Sequence, residues 1–225
     1  MLVISNKASE EFKKFLEASK IEYILTKDNP RLDKRIADHP DLSLFVLDDK
    51  NIAVAEDLYP YYRQYFPNKN IIKASNLEKS YPKDALYNIV RFKNYYIHND
   101  FTEKNIKKYF EKLDIKHLFV KQGYSRCSTI VLRESLLTSD YGIYKALKDK
   151  IDIRLLDRDE ISLDGFSYGF IGGTCGLYEN KLIFTGDITR HKSFSIIKKA
   201  SDEEGLEIIY PKENLVDLGS LIDIS

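Results

Sequence analysis

Tryptophan is absent from this 225-residue chain, methionine occurs once, and cysteine only twice, at Cys127 and Cys175. Two cysteines cannot provide the disulfide framework that staples a small secreted fold, and they form no CxxC pair. The four histidines, His39, His98, His117 and His191, show no ligand spacing, so local sequence supplies no metal site. Long apolar runs are missing too. None approaches the ~20 residues needed to span a bilayer. The apolar start Met1-Leu2-Val3-Ile4 stops at Ser5-Asn6-Lys7, and no signal peptide is visible. The expectation is a cytoplasmic protein with reduced thiols and no membrane partner. An excess of either charge is also lacking. Lys+Arg and Asp+Glu both number 35, giving zero formal net charge, which argues against a protein that coats nucleic acid. The densest basic run, Lys104, Lys107, Lys108 and Lys112, is interleaved with Glu103, Glu111 and Asp114 and reads as a solvated helix face.

What the chain does have is a 43% hydrophobic share, enough for a substantial core, and a unit that repeats. Two short apolar strands flank a tight turn, a polar segment with an aspartate follows, then a helix, then a third strand. One copy runs through strands 42–47 and 52–55, helix 59–66 and a strand from Ile71. The next has strands 86–92 and 95–98, helix 102–113 and strand 115–120. A third has strands 129–132 and 136–137, helix 143–149 and strand 151–156. A fourth has strands 172–178 and 182–184, helix 193–204 capped at Gly205, and strand 206–210. The chain opens on the back half of a unit, strand 1–4, helix 9–19 and strand 21–25, and ends on a lone strand, 215–224. Four units plus one split between the termini make five. The predicted architecture is therefore a single α/β domain over 1–225, a five-unit propeller closed by its two ends, which removes open sheet edges. A doubly wound α/β sheet would alternate single strands with helices. The hairpins 45–54 and 89–97 favour the ring. Asp57, Asp100, Asp140 and Asp187 each stand where a strand gives way to a helix, as caps or first-turn carboxylates do.

The repeat over essentially the whole chain resembles the penteins, the fold of arginine deiminases, dimethylarginine hydrolases and amidinotransferases. A non-catalytic ribosome anti-association factor shares that fold. The chain is similar to a small bacterial branch of the group. The resemblance implies that the first strand of each unit lines a central channel. It would place His39-Pro40-Asp41, Asn88, Cys127-Ser128, Thr174-Cys175 and Asp217 there. Pentein hydrolases carry a His-x-Asp on one such strand and a nucleophilic cysteine two units later, with further acids in the preceding units. By that count His39-Pro40-Asp41 supplies the His-x-Asp and Cys127 the nucleophile, with Asn88 between them. Asp217 lies one unit back and Cys175 two units back, where an acid is expected. The chain would then start at a different point of the ring from the larger enzymes. Pro40 inside the His-x-Asp, Cys175 in an acid's place and Asp217 in place of a longer glutamate are departures from the family pattern.

The chemistry so implied is attack of a thiolate on a guanidino or amidine carbon. It needs an activated cysteine, a histidine and carboxylates for the cation. Cys127 is the expected nucleophile and His39 the general acid/base. Asp41, Asn88, Asp217 and Cys175 are expected to contact a small-molecule ligand, with no cofactor and no metal. The alternative is a non-catalytic binding or assembly module on the same ring. Residue by residue, plainer roles also exist: a buried inert thiol for Cys127, packing for Cys175, a backbone-bonded loop histidine for His39, a cap for Asp41 and a turn for Asp217. Arg126 precedes Cys127 but points to the opposite face if the segment is a strand. Gly172-Gly173 lacks the Lys-Ser/Thr of a phosphate loop, and suits close backbone approach instead.

Overall fold

The computed structural model describes residues 1–158 and 161–225. The split unit opens with β1 (Leu2–Ile4), α1 (Glu10–Ala18) and β2 (Tyr23–Leu25). The second unit has a short α2 (Pro40–Ser43), then β3 (Leu44–Val46), β4 (Asn51–Ala55), α3 (Tyr59–Tyr65) and β5 (Asn70–Ala74). The third has β6 (Val90–Phe92), β7 (Tyr95–His98), α4 (Lys104–Lys112) and β8 (Lys116–Phe119). The fourth has β9 (Thr129–Val131), β10 (Leu136–Thr138), α5 (Tyr141–Leu147) and β11 (Ile153–Leu155). The fifth has β12 (Cys175–Tyr178), β13 (Lys181–Phe184), α6 (Phe194–Glu203) and β14 (Glu207–Ile209), and β15 (Ile222–Asp223) ends the chain. The described residues form five three-stranded sheets. In each, the middle strand pairs antiparallel with the inner strand and parallel with the outer one. In the split unit β15 takes the inner place beside β1, so the two ends of the chain complete one sheet.

The middle strands explain how the ring is held. Successive side chains on a strand point to opposite faces, and here both faces are buried. In β4, Ile52 and Val54 pack towards the split unit, while Ala53 and Ala55 pack towards the third. In β13, Leu182 and Phe184 join the fourth unit, while Ile183 joins the split one. Val3 turns from its neighbours Leu2 and Ile4 in the same way, and Tyr96 and Ile97 divide between the second and fourth units. Five buried clusters result, each bridging two adjacent units, and together they form a closed circuit. Closure is thus by side-chain packing, joined by backbone hydrogen bonds between the segments around the inner strands, such as Arg126 to Asn88 and Gly173 to Cys127, while each sheet keeps its own outer edge strand.

The expected inner strands are longer than the observed ones. Strand 42–47 begins only at Leu44. Before it, Pro40 starts one helical turn, where its fixed φ and missing N–H suit the first position. Gly172 and Gly173 form a 3-10 turn ahead of β12 rather than its first residues. In 215–224 only Ile222 and Asp223 pair with β1, while the Leu218 and Ser220 amides donate to the Gly173 carbonyl. The shortening leaves a ring of non-strand backbone at one end of the axis. Asp140 caps α5 through the Ile143 amide, and Asp187 receives the Thr189 amide of a 3-10 turn. Asp57 lies in the 3-10 turn before α3 and pairs with Arg31. Asp100 caps nothing, because buried Glu103 accepts from the Asn105 and Ile106 amides at the start of α4. The lysines of α4 are exposed, as a solvated face requires.

Candidate functional site

The non-strand segments preceding the inner strands bring His39, Cys127 and Asp217 together. A ring nitrogen, the sulfur and a carboxylate oxygen all lie within 4.8 Å of one another, and all three residues are buried. They form the floor of a cavity of about 240 Å³. His39 stands at the N-terminal end of α2, so Pro40 sets its direction. Asp217 is fixed by backbone donors: the Phe170 amide at 2.8 Å and the Gly219 amide at 3.0 Å. A side chain at Gly173 would place its Cβ 1.9 Å from Asp217 Oδ1, so only glycine lets that carboxylate sit there. The glycine pair therefore makes room for Asp217 and for the backbone carbonyls of 126–129.

Asn88 grips Cys127 at both ends: its carbonyl accepts the Cys127 amide at 3.0 Å and its amide donates to Sγ at 3.1 Å. The thiol in turn donates to Asp41 Oδ2 at 3.0 Å, which also accepts from Ser220 Oγ at 2.7 Å. Asp41 Oδ1 is buried and has no hydrogen-bond partner among the described residues. Asp41 itself lines a second cavity, about 200 Å³, together with residues of all five inner strands. Cys127 lines the first cavity and Asp41 the second, and the two side chains are hydrogen-bonded to each other. Ser220 was invisible as a site residue in the sequence; its signal was adjacency to Asp217-Leu218-Gly219. Cys175 is not brought to this point. It packs with Ile130, Leu182 and Phe184 between the fourth and fifth units. Arg126 also turns away, donating to the Thr129 carbonyl at 3.0 Å and reaching that of Cys175 at 3.5 Å.

Burial dominates the protonation of these groups. It holds the His39 imidazole below its ordinary pKa, with Asp217 and Asp38 opposing, so the ring is neutral at pH 7. It raises the Cys127 thiol well above its ordinary value, and Asp41 and Asp217 push it the same way. Asp217 is raised by burial and partly relieved by His39. Cys175 is pushed up to about 12 by burial. Burial and the two carboxylates thus oppose the activated thiolate that the resemblance implies. His39, Cys127 and Asp217 also bring one nitrogen, one sulfur and one oxygen donor close enough together to hold a metal ion. That set comes from three distant segments, which is why no local spacing announced it.

Asp41 is pushed up to about 6, against 3.8 for a free carboxyl, by burial, with the Cys127 and Ser220 hydrogen bonds opposing. An acid raised in the folded chain keeps its proton where the unfolded chain has already lost it. Stability from this group is full below about pH 4 and is lost as pH rises through about 6. Asp41→Asn removes that step. It is expected to raise stability at pH 7 by up to about 3 kcal/mol relative to wild type, with little difference below about pH 4. Urea-unfolding midpoints of both proteins across this range check it.

Five three-stranded units around a channel are the pentein fold, and comparisons with solved structures agree. Dimethylarginine dimethylaminohydrolase from Pseudomonas aeruginosa, solved with citrulline, superposes with a TM-score of 0.57 at 11% identity, covering 92% of this chain and 81% of that one. The N-terminal domain of ArgZ, an arginine dihydrolase of Cyanobacteria, gives 0.52 at 14% identity, with 92% and 79% covered. SxtG, an amidinotransferase from Microseira wollei, gives 0.55 at 13%, with 97% and 80% covered. The chain belongs to a family of unknown function, DUF6873, whose model matches residues 3–222. No curated protein matches the sequence. Among the described residues, no helix is long and apolar enough to cross a membrane.

Proposed function

We propose that this protein binds a guanidino or amidine compound in the His39–Cys127–Asp217 cavity and breaks one of its C–N bonds through Cys127. The observation that carries the reading is the convergence of a thiol, a neutral imidazole and the Asp217 carboxylate on one small buried space, with a second carboxylate, Asp41, hydrogen-bonded to the thiol. Buried carboxylates without a positive partner are costly and favour a cation. A bound guanidinium supplies the missing charge, and the same charge lowers the thiol's pKa. The ligand thus activates the nucleophile against the burial and carboxylates that raise its pKa.

In the proposed reaction the Cys127 proton passes to His39 as sulfur bonds to the central carbon of the cation. The C–N bond then breaks, and His39 returns the proton to the leaving amine. Water attacking the same carbon, or an amine in a transferase, releases Cys127 as thiol. Asn88 holds the sulfur in place, Asp217 orients the cation, and Asp41 acts through the thiol to which it is hydrogen-bonded. The solved enzymes of this fold named above are hydrolases and a transferase, which supports this reaction class. A non-catalytic binding module is the second reading, favoured by the raised thiol.

Thiolate ultraviolet absorbance, taken as wild type minus Cys127→Ser, separates the two. The expected result is no Cys127 thiolate in the free protein at or below pH ~8.5, and its appearance near neutrality when guanidinium is added. A titration unmoved by guanidinium contradicts the nucleophilic role and leaves the binding module.

A further inference from the structure

The walls of the cavity, as distinct from its floor, say what kind of cation fits. One segment, 161–170, contributes Leu163, Phe166, Tyr168 and Phe170, and Tyr124 faces them. Phe170 stacks on Tyr124 with ring centroids 6.1 Å apart and meets Tyr168 edge-on at 6.0 Å. The segment is fastened at several points. The Gly169 amide donates to the Ile161 carbonyl at 2.8 Å, and the Phe170 amide to Asp217. Arg35 donates to the Gly165 carbonyl at 2.7 Å and lies over the Phe166 ring at 4.1 Å. Tyr124 is anchored by its hydroxyl, which donates to Asp84 at 2.5 Å.

Among the described residues, no lysine or arginine lines this cavity, and residues 159 and 160, outside the description, are acidic by sequence. The nearest arginine in sequence, Arg126, spends its donors on backbone carbonyls. A ligand carboxylate would meet apolar and aromatic walls that do not solvate it and, among the described lining residues, no lysine or arginine. A positive charge with apolar substituents meets both Asp217 and those same aromatic walls. The volume, about 240 Å³, lies below the ~300 Å³ at which drug-sized pockets begin, so the ligand is small.

Resting on the proposed cation site, we infer that its ligand is a compact monocation, a guanidine or amidine with an apolar substituent and no carboxylate. The competing arrangement uses a neighbouring cavity of about 410 Å³ that shares Ser167, Tyr168 and Phe170 as a common wall and is lined by Arg158. There a tethered carboxylate would find a positive charge.

Calorimetric titration of the whole protein with n-propylguanidine and with L-arginine decides. The expected result is that n-propylguanidine binds at least about tenfold more tightly, and that Arg158→Ala leaves the weak arginine affinity unchanged. Arginine binding equally or more tightly, or losing affinity selectively in Arg158→Ala, overturns the inference while leaving the cation site intact. If neither compound binds, the cation site itself falls, and this inference with it.

Discussion

Cys127→Ser is expected to abolish release of amine or ammonia from a guanidino substrate, by at least about 10³-fold in turnover, while the folded structure and cation binding survive. The serine hydroxyl is nearly the size of the thiol and donates a hydrogen bond to Asp41 as the thiol does at 3.0 Å. Asn88 still holds the backbone amide of residue 127. What is lost is the nucleophile, because a hydroxyl is not ionised near neutrality by a neighbouring cation as a thiol is. Comparing turnover with binding of the same compound checks this. Unchanged binding with lost turnover is the expected split. Turnover retained in Cys127→Ser removes Cys127 from the reaction.

Gly219→Ala is expected to destabilise the protein by roughly 2–5 kcal/mol. Gly219 has φ of +72°, and its added Cβ would lie 2.3 Å from the Cβ of His39 and 2.7 Å from its Cα. Neither atom is the end of a flexible side chain that could swing away. The same residue ties the site together: its amide donates to Asp217 at 3.0 Å and its carbonyl accepts the Asp41 amide at 3.3 Å. Moving it therefore disturbs His39, Asp41 and Asp217 at once, so cation binding is expected to fall as well. Gly205 provides the control. It has φ of +66° with nothing within 4 Å of an added Cβ, so Gly205→Ala bears only the left-handed backbone cost of about 1–2 kcal/mol. Urea midpoints of the two variants should differ accordingly. Equal midpoints would show that the contact with His39 relaxes freely.

The ring was legible in the sequence because its middle strands are short, mostly apolar and flanked by turns, and because helices α1, α4 and α6 alternate with them. The inner strands were read too long, since apolar content cannot show that Pro40 starts a helical turn or that Gly172-Gly173 bends against carbonyls. Asp140 and Asp187 are visible as caps, but Glu103 takes the place assigned to Asp100, being closer to the helix it caps. Positions 39, 41, 88, 127 and 217 stood out as polar residues just before inner strands. Cys175 stood out equally, yet β12 turns its sulfur into the packed interface beside Phe184. Ser220 carried no signal beyond its adjacency to Asp217, and the aromatic segment 161–170 carried none, since a loop has no periodicity and only tertiary folding lays it over the cavity.

Acid-quenching the protein during reaction with n-propylguanidine, then mapping peptides by mass spectrometry, tests the central claim most directly. The account predicts an amidino group carried on the Cys127 peptide, absent from Cys127→Ser and absent from the Cys175 peptide. Demonstrable binding of the compound with no adduct on Cys127, and no loss of amine, would contradict it and make the ring a binding module.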